Sequence, residues 1–277
     1  MIQTRVAHIH IPGVKSRRFL HISDAHLSRA YPEDTAEEIA FAEKQAVRWG
    51  TEGRKTWDNF EDLMTLAGQM KPDALVMAGD CIDYYHPSCL RYLTEKLEET
   101  GVESLYVYGN HEGASYQYRV PDGRVQYPAY ARLIGPDPAF WVKEYGDLLV
   151  VGLDDSEREI TERQMALFDR QMERGLPILL VIHVPLRTDG LLPLVRQHWG
   201  ADGDRYFLLG NDQQSALTRA FCARVTAPDS PVAAILAGHV HFLSDCPFAP
   251  GKRQYTAAPG GAWDIRINTD TSRTADH

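Results

Sequence analysis

Apolar residues along this chain come in short unbroken runs, and most runs stop at a residue capable of chemistry. Phe19-Leu20-His21-Ile22-Ser23 ends at Asp24, Ala74 to Ala78 at Gly79-Asp80, and Ser104 to Tyr108 at Gly109-Asn110-His111. Leu148 to Leu153 ends at Asp154-Asp155, Ile178 to Ile182 at His183, and Val232 to Ala237 at Gly238-His239. Such continuous runs predict strands buried on both faces. Between them the apolar period lengthens to that of helices. Trp57 to Met70 aligns Phe60, Leu63, Met64, Ala67 and Met70 on one side, and Pro87 to Thr100 aligns Leu90, Leu93 and Leu97 before a stop at Gly101. Thr161-Glu162-Arg163-Gln164 has the form of a capping box ahead of Met165, Leu167 and Phe168. Asn211 or Asp212 is expected to cap a helix running to about Arg224. Strands alternating with helices predict an α/β core.

Two stretches interrupt this alternation and read as loop insertions, 28–55 and 115–137, in one domain, 1–277, whose core spans about 17–268. The first is polar and charged, with Thr35 to Trp49 compatible with a helix. The second carries Tyr116, Tyr118, Tyr127 and Tyr130 among prolines. Loops this long commonly serve as lids or substrate walls. The tail from Asn268 to His277 reads as disordered. His8 and His10 share one side of a short N-terminal strand.

Composition narrows the function classes. Of 277 residues, 44 % are hydrophobic and 24 % charged, enough to bury a substantial core. The net charge of −9 argues against a broad basic face for nucleic acid. Four cysteines without a CxxC pair suggest a reducing, cytoplasmic setting. The first twelve residues lack the apolar core of a signal peptide, and no apolar run is long enough to span a membrane.

The residues at the run ends are hard-oxygen and imidazole donors. Asp24-x-His26 and His239-x-His241 place two donors each on one side of an extended segment. Asp80 follows a glycine that lets backbone approach closely, and its two carboxylate oxygens can bridge two cations. Asn110 adds an amide oxygen, and His183 ends a buried strand, where a bare imidazole needs a partner. Taken singly these are ordinary features: Gly-Asp and Gly-Asn pairs usually make turns, and buried histidines are usually hydrogen-bonded core. His21, His86 and His198 belong to no motif, though His86 is near enough to Asp80 in sequence to line a pocket. Together, two Asp, one Asn and four His without a thiolate describe a two-metal site for Mn, Fe or Zn rather than Cu(I). Such a site suits hydrolysis of phosphate esters. Cys81, between Asp80 and Asp83, is expected to point into the core.

In order and spacing these motifs resemble the calcineurin-like metallophosphoesterases. The pattern D-x-H, G-D-x-x-D, G-N-H-[ED], H and G-H-x-H is matched without substitution from Asp24 to His241. The resemblance implies a four-layer α/β-sandwich, with two face-to-face mixed β-sheets flanked by helices. It implies that Asp24, His26 and His241 hold one metal, that Asn110, His183 and His239 hold a second, and that Asp80 bridges both. It makes His111 the catalytic histidine, oriented by Asp83, and a metal-bridging hydroxide the nucleophile, with His111 assisting the leaving group.

The substrate is less defined. Tyr84-Tyr85 follows Asp83 where Ser/Thr phosphatases of this family carry Arg-Gly, which argues against that branch. The acidic balance argues against a nuclease. Tyr84, His86 and Tyr116 are expected to line the substrate, with Tyr85 and Tyr118 as further stacking rings and Arg119 and Arg124 as candidate holders of a second phosphate. The favoured partner is a small phosphodiester or nucleotide, with no membrane or nucleic acid involved. A phosphomonoesterase and a non-catalytic metal-binding scaffold stay open, as does the oligomeric state.

Overall fold

The apolar runs form strands, and the strands sort into two sheets. The computed structural model describes residues 2–114 and 126–269. In chain order the elements are β1 (Gln3–His10), β2 (Arg17–Ile22), α1 (Ala36–Arg48), α2 (Thr56–Met70), β3 (Ala74–Ala78), α3 (Pro87–Thr100), β4 (Ser104–Val107), α4 (Tyr127–Ile134), β5 (Phe140–Glu144), β6 (Leu149–Leu153), α5 (Glu162–Met172), β7 (Ile178–Val181), α6 (Leu191–Trp199), α7 (Gly203–Phe207), α8 (Ala216–Thr226), β8 (Val232–Ala237), β9 (Ser244–Ala249), β10 (Lys252–Thr256) and β11 (Gly261–Asn268). One sheet has the order β1-β11-β2-β3-β4 and the other β5-β6-β7-β8-β10-β9. Both are mixed: β2-β3-β4 and β6-β7-β8-β10 run parallel, while β2 meets β11, β5 meets β6 and β9 meets β10 antiparallel.

The burial pattern explains the layering. Every residue of β3, β6 and β7 is buried, as continuous apolar runs require. One face of each sheet meets the other sheet through Phe19, Val76, Val150, Leu179, Leu236 and Ile265. The outer face of the first sheet is covered by Phe60 and Leu63 of α2, Leu93 of α3 and Tyr130 of α4. That of the second is covered by Phe168 of α5 and Phe221 and Val225 of α8. Each such side chain contributes about 1.5–3 kcal/mol relative to exposure. The result is the four-layer α/β-sandwich with two mixed sheets flanked by helices. Among the described residues no helix is long and apolar enough to cross a membrane.

Local signals set most boundaries. Thr35 caps α1 in a capping box with Glu38, and Thr161 does so for α5 with Gln164. Gly101 ends α3 with φ +63°. Other expectations need correction. The cap of α8 is Ser215, not Asn211 or Asp212. The Asn211 amide is committed to the preceding turn, donating to the Asp204 and Leu208 carbonyls and accepting from the Gln213 N–H. Within the 28–55 stretch, Thr35 to Trp49 is helical as expected and forms α1 with its caps. In the 115–137 stretch, 115–125 lies outside the described residues, and the remainder contains α4. Asn268 closes β11 beside His10 instead of opening a disordered tail, the rest of which, 270–277, lies outside the described residues. His8 and His10 do lie in a strand, β1.

Candidate metal centre

The candidate ligands occupy turns at the carboxyl ends of β2, β3, β4, β7 and β8, where ligand sites gather in α/β sheets. Their backbone departs from the extended form expected of Asp24-x-His26 and His239-x-His241. Asp24, His26, Asp80, His239 and His241 have φ of +53°, +44°, +51°, +67° and +60°. Left-handed backbone at residues with a Cβ is costly, and it persists only where surrounding bonds enforce it. Here those bonds run between turns: Asp24 N–H donates to Gly79 O at 3.1 Å, His26 N–H to Asp80 O at 2.9 Å, and Gly238 N–H to His183 O at 2.9 Å. Gly79 has φ +81°, and a Cβ there would lie 2.5 Å from His183 Nδ1, so the motif glycine makes room for a ligand ring.

The side chains converge in two groups. In the first, His26 Nε2 lies 3.1 Å from His241 Nε2, and Asp24 Oδ1 lies 3.4 Å from His241 Nε2 and 4.0 Å from His26 Nε2. In the second, His183 Nε2 lies 3.2 Å from Asp80 Oδ2, 3.2 Å from Asn110 Oδ1 and 3.1 Å from His239 Nδ1. Asp80 also approaches His26 and His111, which places it between the groups. Nitrogen and oxygen ligands about 2.0–2.2 Å from an ion stand roughly 3.0–3.4 Å from each other. The separations of 3.1–3.4 Å are of the size metal coordination gives, with Asp24 Oδ1 and His26 Nε2 standing farther apart at 4.0 Å. His183 Nδ1–H donates to Ala78 O at 2.8 Å and His239 Nε2–H to Tyr206 O at 3.0 Å, which turns the other nitrogen of each ring toward the group.

Charge and burial reinforce this. Burial, together with His111, holds His26 well below the usual imidazole range, and burial beside His183 lowers His239 to about 3. Both rings are thus neutral donors. Burial opposes charge on His183, but Asp80, Asp24 and Asp155 outweigh it and lift the group to about 10 without metal. Asp80 stays ionised: although burial opposes its charge, the His183 and His111 rings hold it well below the carboxylate range. His111 donates Nδ1–H to Asp83, with Oδ1 at 3.0 Å and the backbone O at 2.8 Å, and its own N–H donates to Asp80 Oδ1 at 2.8 Å.

Two buried carboxylates at the ends of β4 and β6 frame the site. Glu112 accepts the N–H of Asp80 (3.0 Å), Cys81 (2.7 Å) and Gly109 (2.9 Å), and the Tyr106 hydroxyl. It ties the turn after β3 to the turn after β4, and burial beside Asp80 raises it to about 7. Asp155 accepts the N–H of His183 at 2.8 Å and of Val184 at 3.0 Å, and burial raises it to about 7. Each was visible as an acid at a run end, but nothing local revealed its backbone partners.

Aromatic rings surround the ligands, and these the sequence reading missed. The Trp49 ring stacks on His26, with centroids 4.4 Å apart and planes 14° apart. It stands edgewise to His111 at 5.6 Å and to His241 at 5.5 Å. On another side Trp199 lies 5.6 Å from His241 and stacks on Phe207, which lies 5.1 Å from His239. Trp49 and Trp199 each end a helix and each precede a glycine, a repeated local signal that could have marked them.

The expected substrate residues fare differently. Tyr84 is buried at 5 % exposure in the helix-covered core, against Phe41, instead of facing a ligand, because the chain turns inward toward α3 after Asp83. His86 caps α3: its Nδ1 accepts the Ser88 N–H, so the neutral ring keeps its proton on Nε2, 3.3 Å from Glu38 Oε1. That tautomer leaves no ring lone pair for a metal beside Asp34 and Glu38. Tyr116, Tyr118, Arg119 and Arg124 lie outside the described residues. His21 is buried core, its Nε2–H on Ala237 O at 3.0 Å, and Cys81 points into the core as expected.

The family profile described as calcineurin-like phosphoesterase matches residues 17–243. A dimetal phosphatase from Danio rerio shares the fold, with TM-score 0.58 and 15 % identity over 88 % of each chain. A purple acid phosphatase from yellow lupin (Lupinus luteus) seeds also does, with TM-score 0.58 and 14 % identity, the match covering 95 % of this chain and 48 % of that one. No curated protein matches the sequence. At these identities the solved structures establish fold, while the profile spans most of the chain and all the motif turns. The chain belongs to the calcineurin-like phosphoesterase family and is a metal-dependent phosphoesterase.

Proposed function

We propose that this phosphoesterase hydrolyses a small phosphodiester or a nucleotide, with Asp24, His26 and His241 holding one metal ion, Asn110, His183 and His239 the other, and Asp80 both. Two such ions supply Lewis-acid polarisation of the phosphoryl oxygens and activation of water near neutral pH. The donors are all oxygen and nitrogen, which suits Mn, Fe or Zn.

The observation that carries the reading is the position of His111. Its Nδ1–H is fixed by Asp83, and its Nε2 lies 4.0 Å from Asp80 Oδ2, on the shared carboxylate. Burial opposes charge on the ring, yet Asp80 and Asp83 push it up, to about 9 before any metal shares Asp80. Nε2–H then donates to the departing ester oxygen or to charge on the phosphoryl group. The side chain is 24 % exposed, reaching from the buried ligands toward solvent, where an alcohol leaves. A small planar substituent is supported by the aromatic rings beside the ligands, among which Trp199 is 37 % exposed.

The test compares bis-p-nitrophenyl phosphate with p-nitrophenyl phosphate, using metal-stripped protein reloaded with Mn. Faster turnover of the diester is expected. Replacing His111 by Ala is expected to lower turnover by about 10²–10⁴-fold with bound metal unchanged. Faster turnover of the monoester overturns the diester assignment, and unchanged turnover in His111→Ala removes His111 from the reaction.

A further inference from the structure

His26 is held differently from His183 and His239. A metal-binding histidine nearly always donates its second ring N–H to a carboxylate, a carbonyl or water, and this bond fixes the ring plane. His26 Nδ1 is buried and makes no hydrogen bond. The nearest carboxylate oxygen, Asp83 Oδ1, is 3.8 Å away and already accepts from His111 Nδ1. What lies against the ring is the indole of Trp49, nearly parallel at 4.4 Å. Turning His26 about its ring bond breaks that stack.

Trp49 is itself held firmly. It ends α1, its N–H donating to Gln45 O at 3.0 Å, and the Arg48 guanidinium lies 5.1 Å from the ring centroid. Gly50 follows, where a Cβ would collide with Arg54 O and lie 2.9 Å from Ala46 O. The turn beyond is pinned to α2 by Arg54 on Asp62 (2.5 Å) and on Asp58 O (2.9 Å), and by Asn59 on Thr51 Oγ1 (2.8 Å). It is pinned back to α1 by Lys55 on Glu43 at 2.5 Å. The 28–55 insertion thus forms a bracket hydrogen-bonded to α2, with an indole at its inner end lying on a candidate ligand ring.

We infer that Trp49 is the positioning residue of the first metal subsite, fixing the plane of His26 by stacking where His183 and His239 are fixed by hydrogen bonds to backbone carbonyls. This rests on the ligand assignment proposed above. The indole N–H has no acceptor among the described residues, so the ring face and not the N–H performs the task. Trp49→Phe keeps a face and Trp49→Ala removes it.

The experiment titrates Mn(II) into metal-stripped wild-type, Trp49→Ala and Trp49→Phe proteins by calorimetry, with His26→Ala marking the event that belongs to the first subsite. Wild type is expected to bind two ions. Trp49→Ala is expected to lose about 10–100-fold in affinity for the marked event alone, the usual effect of removing a residue that orients a ligand. Trp49→Phe is expected to restore it. The second event, unchanged in Trp49→Ala, shows that the variant is folded. Two wild-type-like events in Trp49→Ala, equal weakening of both, or a Trp49→Phe protein no better than Trp49→Ala would each overturn the inference while leaving the ligand assignment standing. Failure of wild type to bind two ions would overturn the assignment, and the inference with it.

Discussion

His183 and His239 each commit one ring nitrogen to a backbone carbonyl, Ala78 O and Tyr206 O, while His26 commits none and rests against Trp49. The difference follows from position. His183 leaves β7 directly beside the carboxyl end of β3, so the two sheets themselves bring an acceptor to it. His26 sits in a turn beyond β2, where the nearest carboxylate oxygen, Asp83 Oδ1, is 3.8 Å away and already accepts from His111, and no backbone carbonyl reaches its outer nitrogen. There the chain supplies a helix and a rigid turn in place of a carbonyl. His183 is oriented by a strand end of the facing sheet, His239 by a carbonyl of α7, and His26 by the ring that the 28–55 insertion lays against it. The two subsites should therefore respond differently to change.

Asp80 offers the strongest way to break the comparison, because both groups depend on it. Its Oδ2 lies 3.2 Å from His183 Nε2, while Oδ1 accepts the His111 N–H. Asp80→Asn removes the charge that favours both ions. Metal content is expected to fall at both subsites together and turnover by about 10³-fold or more, since metal polarisation contributes several kcal/mol. Loss of a single ion, read by elemental analysis, would show that Asp80 serves one subsite only.

Glu112 tests the sheet-held side. It binds three backbone N–H groups and the Tyr106 hydroxyl, and all of them are donors. Glu112→Gln brings an amide NH₂ into this set of donors and leaves at least one buried group unpaired. The expected cost is about 1–3 kcal/mol, or a melting temperature lower by several degrees. Turnover should fall as well, because the turns carrying Asp80 and Asn110 loosen together. A stable protein with full activity would mean that those turns hold themselves.

Much of this was legible because the ligands and the strands that carry them are local features. Asp80, Asn110, His183 and His239 each follow an apolar run too continuous to be anything but a buried strand, and the runs became β3, β4, β7 and β8. What was not legible depends on distance or on handedness. Asp24 and His26 are two apart, which puts side chains on one side only in an extended chain; their φ values of +53° and +44° converge them by a left-handed turn that residue type alone does not announce. Tyr84 follows a site motif and so looked available, yet its direction was set by α3 and Phe41. Trp49 lay inside a polar stretch whose role appears only once α1 is packed. Strands β9, β10 and β11 carry a proline, charges or mixed polar and apolar residues, and their pairing is decided by neighbours instead of periodicity.

The smallest expected effect comes from Asp264, which separates the placement of β2 from the bracket on His26. Asp264 lies on β11, buried, and binds Arg18 at the start of β2 at 2.8 Å and Arg266 at 2.6 Å. Burial pushes its pKa up, but the two guanidinium groups outweigh this and hold it below the ordinary 3.8. A depressed carboxylate stabilises the fold fully above its unfolded value, and the contribution is lost as pH falls through the lower folded value. Asp264→Asn is expected to cost about 1–2 kcal/mol near neutral pH, discounted because both arginines are half-exposed. The melting-temperature difference from wild type should persist to about pH 5 and shrink below the ordinary carboxylate value of 3.8. Mn affinity at both subsites should be unchanged, because the far end of β2 and Trp49 are untouched. If Asp264→Asn weakened the first subsite as Trp49→Ala is expected to, then the position of β2 would be what orients His26, and the contrast between a sheet-held and an insertion-held ligand would collapse.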